Sequence, residues 1–438
     1  MKSSTTVVVG AGWTGLATAV SLTRAGIPVK LYESARQIGG RARRVPFQDL
    51  TVDNGQHLFI GAYRETLSIM ETVGVDIPKV LLRQPLQLIS KYQDGKTIAL
   101  TAPPLPAPLH LLWSLLTAQG LSAKERWPAI KLGLKLKLGR LKLPQDISVS
   151  EFLRQQGQAD LLNEAFWYPL CLAIMNTHPQ QASAEIFIRV LADAFLYHQQ
   201  DSNLLYARTD LSHVLPDPAV DYIEQHGGQV QLGHRISRLE IQANRITGVW
   251  SDEDFQPASQ VVLALPPYAT APLLEPHSQL TALASNMQQF EYEPICTVYL
   301  QYSESVCLPV PMLGMLGSVG QWAFDRQICG QPGLIAVVIS SSGNHMDWPD
   351  SQLVDVISAE LANLFPTWPQ PASTQVIREK RATFASLVNI NQSRPTNQTA
   401  IAGLRLAGDF TQTGYPATLE GAVRSGVQCA QQILQQMN

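Results

Sequence analysis

Gly10, Gly12 and Gly15 constrain what this chain can fold into more than any other feature. In "TTVVVGAGWTGLATAVSLTRAGIPVKLYE" the β-branched run Val7 to Val9 leads into G-x-G-x-x-G, and a helical pattern follows. Gly10 permits a sharp turn, Gly12 lets backbone approach a pyrophosphate, and Gly15 lets the helix sit close on the sheet. Ala11 lies inside that turn, and the helix N-terminus offers N–H groups and a positive dipole end to phosphates. Gly26 punctuates the helix end, "VKLYE" reads as a second strand, and Glu33 closes it where a carboxylate can accept from a ribose hydroxyl pair. A glycine-rich turn that binds nothing would not need the strand, the helix and the acid together. The pattern predicts a dinucleotide-binding unit.

At 438 residues the chain is too long for one ordinary core, so two or three domains are expected. A net charge of −3 gives no electrostatic case for nucleic acid as a partner. Five scattered cysteines without a C-x-x-C pair fit reduced thiols in a cytoplasmic protein rather than a disulfide framework or a zinc site. No residues show metal-ligand spacing. The opening apolar run behind Lys2 is broken by the three glycines and passes into a second strand, unlike a signal peptide. No stretch supplies about 20 uninterrupted apolar residues, so a membrane-spanning helix is not expected.

The segment "ARQIGGRAR" (Ala35 to Arg43) chooses between cofactors. A second glycine pair with an arginine, so soon after Glu33, resembles the flavoproteins of the amine oxidase and phytoene desaturase superfamily. The far end agrees: "LRLAGDFTQTGYPATLEGAVRSG" is similar to the superfamily's strand, Gly-Asp and closing helix. The resemblance implies FAD, with Gly40, Arg41, Gly408 and Asp409 toward the pyrophosphate and ribitol. It places Thr418, Leu419 and the Glu420, Gly421, Ala422, Ser425, Gly426 helix against the flavin. "GGQVQLGHRISRLEIQANRITGVW" reads as two strands with a turn at "QAN", and the resemblance places Ile236 near the adenine. "QVVLALPPY" reads as a buried strand ending in Pro-Pro. The expected fold is α/β: a doubly wound, Rossmann-like FAD-binding domain from residues 1–85, 205–268 and 378–438. A mixed α+β substrate domain, residues 86–204 and 269–377, is inserted between those parts.

"VDNGQHLFIGAY" (Val52 to Tyr63) carries a density of polar groups that a plain strand does not need. With "FWYPLCLAIMNT", "VIREKRATFA" and "GYPATLEGAVRSG", it resembles the hydroxysqualene dehydroxylases, FAD enzymes of bacterial hopanoid and squalene synthesis. In that family "VIREKRATFA" (Val376 to Ala385) is the strand that re-enters the FAD domain. The resemblance implies a reductive dehydroxylation in which an allylic C30 alcohol loses its hydroxyl as water and reduced flavin N5 supplies hydride. Such a reaction needs a long apolar cavity and a proton donor for the leaving hydroxyl. His57 is the first candidate donor and Tyr63 the second, with Gly55 and Gln56 beside the cofactor. His57 could equally hydrogen-bond the isoalloxazine edge or a backbone carbonyl, and Asp53 could orient it or cap the turn before Gly55. His178 reads as a loop residue and His110 as a packed one.

Other readings share much of this. A carotenoid-type desaturase or isomerase would have the same fold and flavin but oxidise its substrate. Escort proteins for prenylated GTPases use the fold without flavin, whereas here Glu33, Arg41 and Asp409 are all in place. No second nucleotide fingerprint is present, so a partner reductase or transient NAD(P)H is expected to recharge the flavin.

Residues 97–123 carry no Asp, Glu, Lys or Arg and contain Pro103, Pro104, Pro106 and Pro108 before "LHLLWSLL". Residues 124–142 then carry Lys124, Arg126, Lys131, Lys135, Lys137, Arg140 and Lys142 against one acid, Glu125. This suits peripheral contact with an anionic membrane surface, on the cytoplasmic face. Period-2 alternation from Leu134 to Leu138 leaves open an ordinary solvated helix with snorkelling lysines.

Overall fold

The structure, a computed structural model, describes residues 5–141 and 143–437; Lys2 and Lys142 of the readings above lie outside them. Val7 and Val8 are fully buried because their strand, Thr6–Val9, is the middle of a five-stranded sheet. The spatial order is Gln229–Leu232, Val29–Glu33, Thr6–Val9, Gln260–Leu263, Leu404–Leu406, and every neighbouring pair is parallel. A parallel sheet is covered on both faces, which is why these strands are runs of apolar residues without alternation. One face packs Val8 and Leu31 against the Trp13–Arg24 and Leu419–Met437 helices. The other packs Val7, Val9 and Val261 under an antiparallel meander, Ile236–Gln242, Arg245–Ser251 and Asp254–Pro257. The "QAN" turn of that meander sets Ala243 and Asn244 at positive φ, the geometry a two-residue hairpin of right-handed twist requires. Gln229–Leu232, in the same stretch of sequence, instead joins the parallel sheet as its edge.

A second sheet has seven strands in the order Ser373–Phe384, Tyr292–Gln301, Leu334–Ser340, Trp322–Asp325, Met312–Leu316, Gln87–Tyr92, Thr97–Thr101. It is antiparallel except where Met312–Leu316 meets Gln87–Tyr92. The stretch from Val376 to Ala385 lies almost wholly on its edge strand, paired with Tyr292–Gln301. Only its end reaches the first unit, where the Ala382 carbonyl accepts from Arg41 at 3.0 Å.

Helices Leu109–Leu116 and Ala123–Lys137 form the segment with alternating leucines. A capping box of Ser122 and Glu125 starts the second helix. Helix geometry therefore prevails over the short period-2 pattern at Leu134 to Leu138. No helix among the described residues is long and apolar enough to cross a membrane.

Candidate cofactor and substrate cavity

The strand ending at Val9 delivers the chain to a turn only glycine tolerates. Gly10 has φ +103°, and a Cβ there would lie 2.6 Å from the Ala264 carbonyl oxygen. A Cβ on Gly15 would lie 1.8 Å from the Gly10 carbonyl, so this residue closes the helix onto the turn. No side chain caps the helix that follows, and Gly12, Trp13 and Thr14 border a cavity. Glu33 is held beside them, its carboxylate accepting from the Ala11 N–H at 2.8 Å and the Ala35 N–H at 2.9 Å.

That cavity has a volume of about 1220 Å³. An ordinary small-molecule site has roughly 300–1,000 Å³, so there is room for more than one ligand. Gly10, Gly12, Glu33 and Ile236 line one part. Gly40, Arg41, Gly408 and Asp409 line another, with Gly55, Gln56, His57, Tyr63, Thr418 and Leu419 beyond. Ala11 and Gly15 stand behind the wall. Arg41 bridges the two ends of the chain by pairing with Asp409 at 2.7 Å. Leu86, Leu88, Leu100, Phe166, Leu170 and Trp322 make the remaining wall apolar.

An uncapped helix start, a ribose-height carboxylate and the Gly408–Asp409 turn on one continuous wall fit an extended dinucleotide such as FAD. Gly12 and the helix start would hold its pyrophosphate, Glu33 its adenosine ribose, and Asp409 its ribitol. Of the closing helix's small residues only Ala422 borders the cavity. Glu420 is fully buried and accepts from the Glu65 and Thr66 N–H groups at the start of the Arg64–Thr72 helix. Gly426 lets that closing helix touch the first one, since a Cβ there would sit 2.4 Å from the Thr14 carbonyl.

The polar stretch around His57 divides its labour. The Asp53 carboxylate does not bond His57: it accepts from the Leu211 N–H at 2.7 Å and from Arg326 at 3.1 Å. Burial pushes this carboxyl up, while Arg326 and Leu211 pull it back. Arg326 also donates to the Gln56 side chain at 2.7 Å, and the Tyr299 hydroxyl donates to the Asp53 carbonyl at 2.8 Å. Asp53 and Gln56 thus lock the loop to the second sheet. His57 Nδ1 lies 2.6 Å from the Gly55 carbonyl, which can only accept, so Nδ1 carries the proton. Nε2 is then an acceptor, with no bond to protein among the described residues. Burial pushes the His57 pKa below its ordinary value, leaving the ring neutral near pH 7. Burial, helped by Glu420, pushes the Tyr63 phenol far above its usual range.

His110 is fully buried and bonded to the Ser202 hydroxyl at 3.0 Å; His178 lies in a loop against the Ser342 carbonyl. Two residues at the cavity and its supporting loop gave no signal that sequence reasoning used. Arg394 is fully buried and donates to the carbonyls of Asp409, Thr411 and Tyr415, pinning the loop that carries Asp409. Asp193 borders the cavity; its only sequence signal is an acid between Val190 and Ala194, on the apolar side of the Ala184–Phe195 helix.

Comparison with known proteins agrees with this geometry. The profile of the family described as flavin containing amine oxidoreductase matches residues 13–434. A hydroxysqualene dehydroxylase of Rhodopseudomonas palustris is 31% identical over 99% of both chains. One from Sinorhizobium fredii is 30% identical over 98% of both. A 15-cis-phytoene desaturase of an Oncidium hybrid cultivar follows at 24%, over 98% of this chain and 77% of its own. Among solved structures, an oxidoreductase from Methanosarcina mazei superposes with a TM-score of 0.78 at 16% identity, over 98% of this chain and 100% of that one.

Proposed function

The chain belongs to the flavin-containing amine oxidoreductase family, in its hydroxysqualene dehydroxylase branch, and is an FAD-dependent oxidoreductase; from that premise we propose that it reductively removes the hydroxyl of hydroxysqualene to give squalene. One observation carries the reading: a single cavity joins the dinucleotide wall to an apolar wall large enough for a long isoprenoid. Bound FAD, once reduced, would supply the hydride equivalent that replaces the hydroxyl. The C–O bond breaks, a C–H bond forms at the same carbon, and the oxygen leaves as water once it takes a proton. His57 delivers that proton from Nε2, the ring nitrogen without a protein partner, after first taking one up there to become an imidazolium whose Nδ1–H stays on the Gly55 carbonyl. Leu88, Phe166 and Leu170 exclude water and hold the polyene. Electrons reach the flavin from a partner reductase or NAD(P)H.

The same reading includes a membrane surface as the source of substrate. Seven of the twelve exposed large apolar side chains among the described residues lie between Leu105 and Leu138. Leu109, Trp113 and Leu116 share one face of their helix, and Trp127, Leu134 and Leu138 share one face of the next. Exposed Lys124, Lys131 and Arg140 flank them, which suits anionic lipid. The first helix also sends Leu111 inward to the apolar cluster that holds Leu88, Met312 and Trp322 of the cavity wall.

The experiment is anaerobic. Chemically reduced enzyme mixed with hydroxysqualene should reoxidise its flavin and release squalene in matching amount. Reduced enzyme that stays reduced with hydroxysqualene, together with oxidised enzyme that bleaches on a carotenoid precursor, would establish the desaturase alternative instead.

A further inference from the structure

The apolar wall of the cavity carries two carboxylates, Glu379 and Asp193, of which Asp193 is held by hydrogen bonding. Asp193 sits on the Ala184–Phe195 helix between Val190 and Ala194, and all three border the cavity. Its Oδ2 is taken: the Tyr415 hydroxyl donates to it, Arg189 Nε lies 3.4 Å away and Arg424 Nη2 4.0 Å away. Its Oδ1 carries no hydrogen bond among the described residues. Tyr415 is itself placed firmly, with the Arg424 guanidinium 4.1 Å from its ring centroid and its carbonyl accepting from Arg394 at 2.6 Å. Tyr415 opens the 415–422 segment, whose Pro416, Ala417 and Thr418 line the cofactor side of the same cavity.

We propose that Asp193, held by Tyr415, is the binding residue for the hydroxyl of the substrate, its free Oδ1 accepting the hydrogen bond. This rests on the reading of the substrate as a long isoprenoid alcohol and names the group that selects it. The physical reason is selectivity. A saturated or polyene hydrocarbon gains nothing from a carboxylate in a dry wall and leaves it without a partner, whereas an alcohol supplies one donor at that point. Arg189 and Arg424 both stand on the Oδ2 side of the carboxylate, which leaves Oδ1 as the acceptor. Nearness to Tyr415 puts the held oxygen at the end of the apolar wall where the cofactor residues begin, so the same bond selects the alcohol and sets its carbon against the cofactor. Asn176, another polar residue of the wall, is unsuited to this role: its amide is spent on the Pro294 carbonyl, Thr383 and the Ser341 N–H.

The test is a binding titration of the oxidised holoenzyme, read by perturbation of flavin absorbance, with hydroxysqualene and with squalene. The wild type should bind the alcohol about tenfold to a hundredfold more tightly than the hydrocarbon, the ratio a hydrogen bond to a charged group supports. In Asp193→Leu, which removes both acceptor oxygens where asparagine would keep one, that ratio should fall close to one with the squalene affinity no weaker than in the wild type. Tyr415→Phe keeps the ring under Arg424 and should lower the ratio several-fold, because the carboxylate loses its tether. Three results would overturn the assignment: an unchanged ratio in Asp193→Leu, equal losses for both ligands, or loss of the ratio in Glu379→Gln, the other carboxylate of this wall. A wild-type preference for the alcohol without reoxidation of the reduced enzyme would sink the dehydroxylase reading and leave the binding residue standing.

Discussion

Gly15 and Arg326 show how differently single residues can support one site. Gly15 acts by being small: with the Gly10 carbonyl 1.8 Å from where a Cβ would be, Gly15→Ala must push the first helix off the turn. Overpacking of this kind costs about 1–3 kcal/mol, and the displaced helix start faces the pyrophosphate site. The expected outcome is purified protein with much less flavin per chain, measured from its absorbance ratio; full occupancy would refute it. Arg326 acts by charge. Its side chain is 1% exposed and faces an Asp53 side chain 2% exposed. Removing one partner of such a pair costs about 3–5 kcal/mol, so Arg326→Met should lose that much in denaturant unfolding. His57 gives a pH signature. Its folded pKa lies below the ordinary 6.5, so its contribution is fully present above pH 6.5 and lost as pH falls through the lowered folded value. His57→Gln should therefore lose less stability on acidification than the wild type. The glycine's role was readable from its spacing. Arg326 was not, because its partner lies 273 positions away and nothing local marks it.

At the scale of elements, the Leu109–Leu116 and Ala123–Lys137 helices carry the most informative difference between pattern and structure. The leucines alternate with period 2 over five residues, a pattern that leaves an ordinary solvated helix open beside a membrane-surface element. The capping box at Ser122 and Glu125 and the packing of Ala129, Ile130 and Leu132 settle it as a helix. Its outward face then places Trp127, Leu134 and Leu138 together, a grouping that only the 3.6-residue period produces. Vesicles containing anionic phosphatidylglycerol should pellet the wild type, and neutral phosphatidylcholine vesicles should pellet less. Each lysine near such a surface contributes about 1 kcal/mol, so Lys131→Glu with Lys135→Glu should weaken binding at least about tenfold. Equal binding of both proteins to both vesicles would remove the anionic lipid from the proposal, and no pelleting with either would remove the membrane.

Across the whole molecule, the cofactor wall is drawn from both ends of the chain and from its middle, through Thr6–Val9, Ile236 and Gly408–Asp409. Arg41 to Asp409 and Arg394 to the 409–415 loop are the protein's own ties across that wall. A ligand that binds only this assembled state stabilises it by mass action. Stripping FAD should lower stability, and restoring it to a hundredfold its Kd should return about 2.7 kcal/mol, seen as a higher unfolding midpoint.

The sequence by itself determined the parallel nucleotide-binding sheet, the cofactor and the family, because those rest on glycines and acids whose spacing is a local steric requirement. Gly10 must turn and Gly15 must be small wherever the rest of the chain goes. Only the tertiary structure decided which partners the polar loop at Asp53 to His57 takes, and which acid meets the apolar wall of the cavity. Asp53 belongs to Arg326 and Leu211, and Asp193 belongs to Tyr415. Those partners come from distant parts of the chain, and a hydrogen bond between them leaves no period or spacing in the sequence.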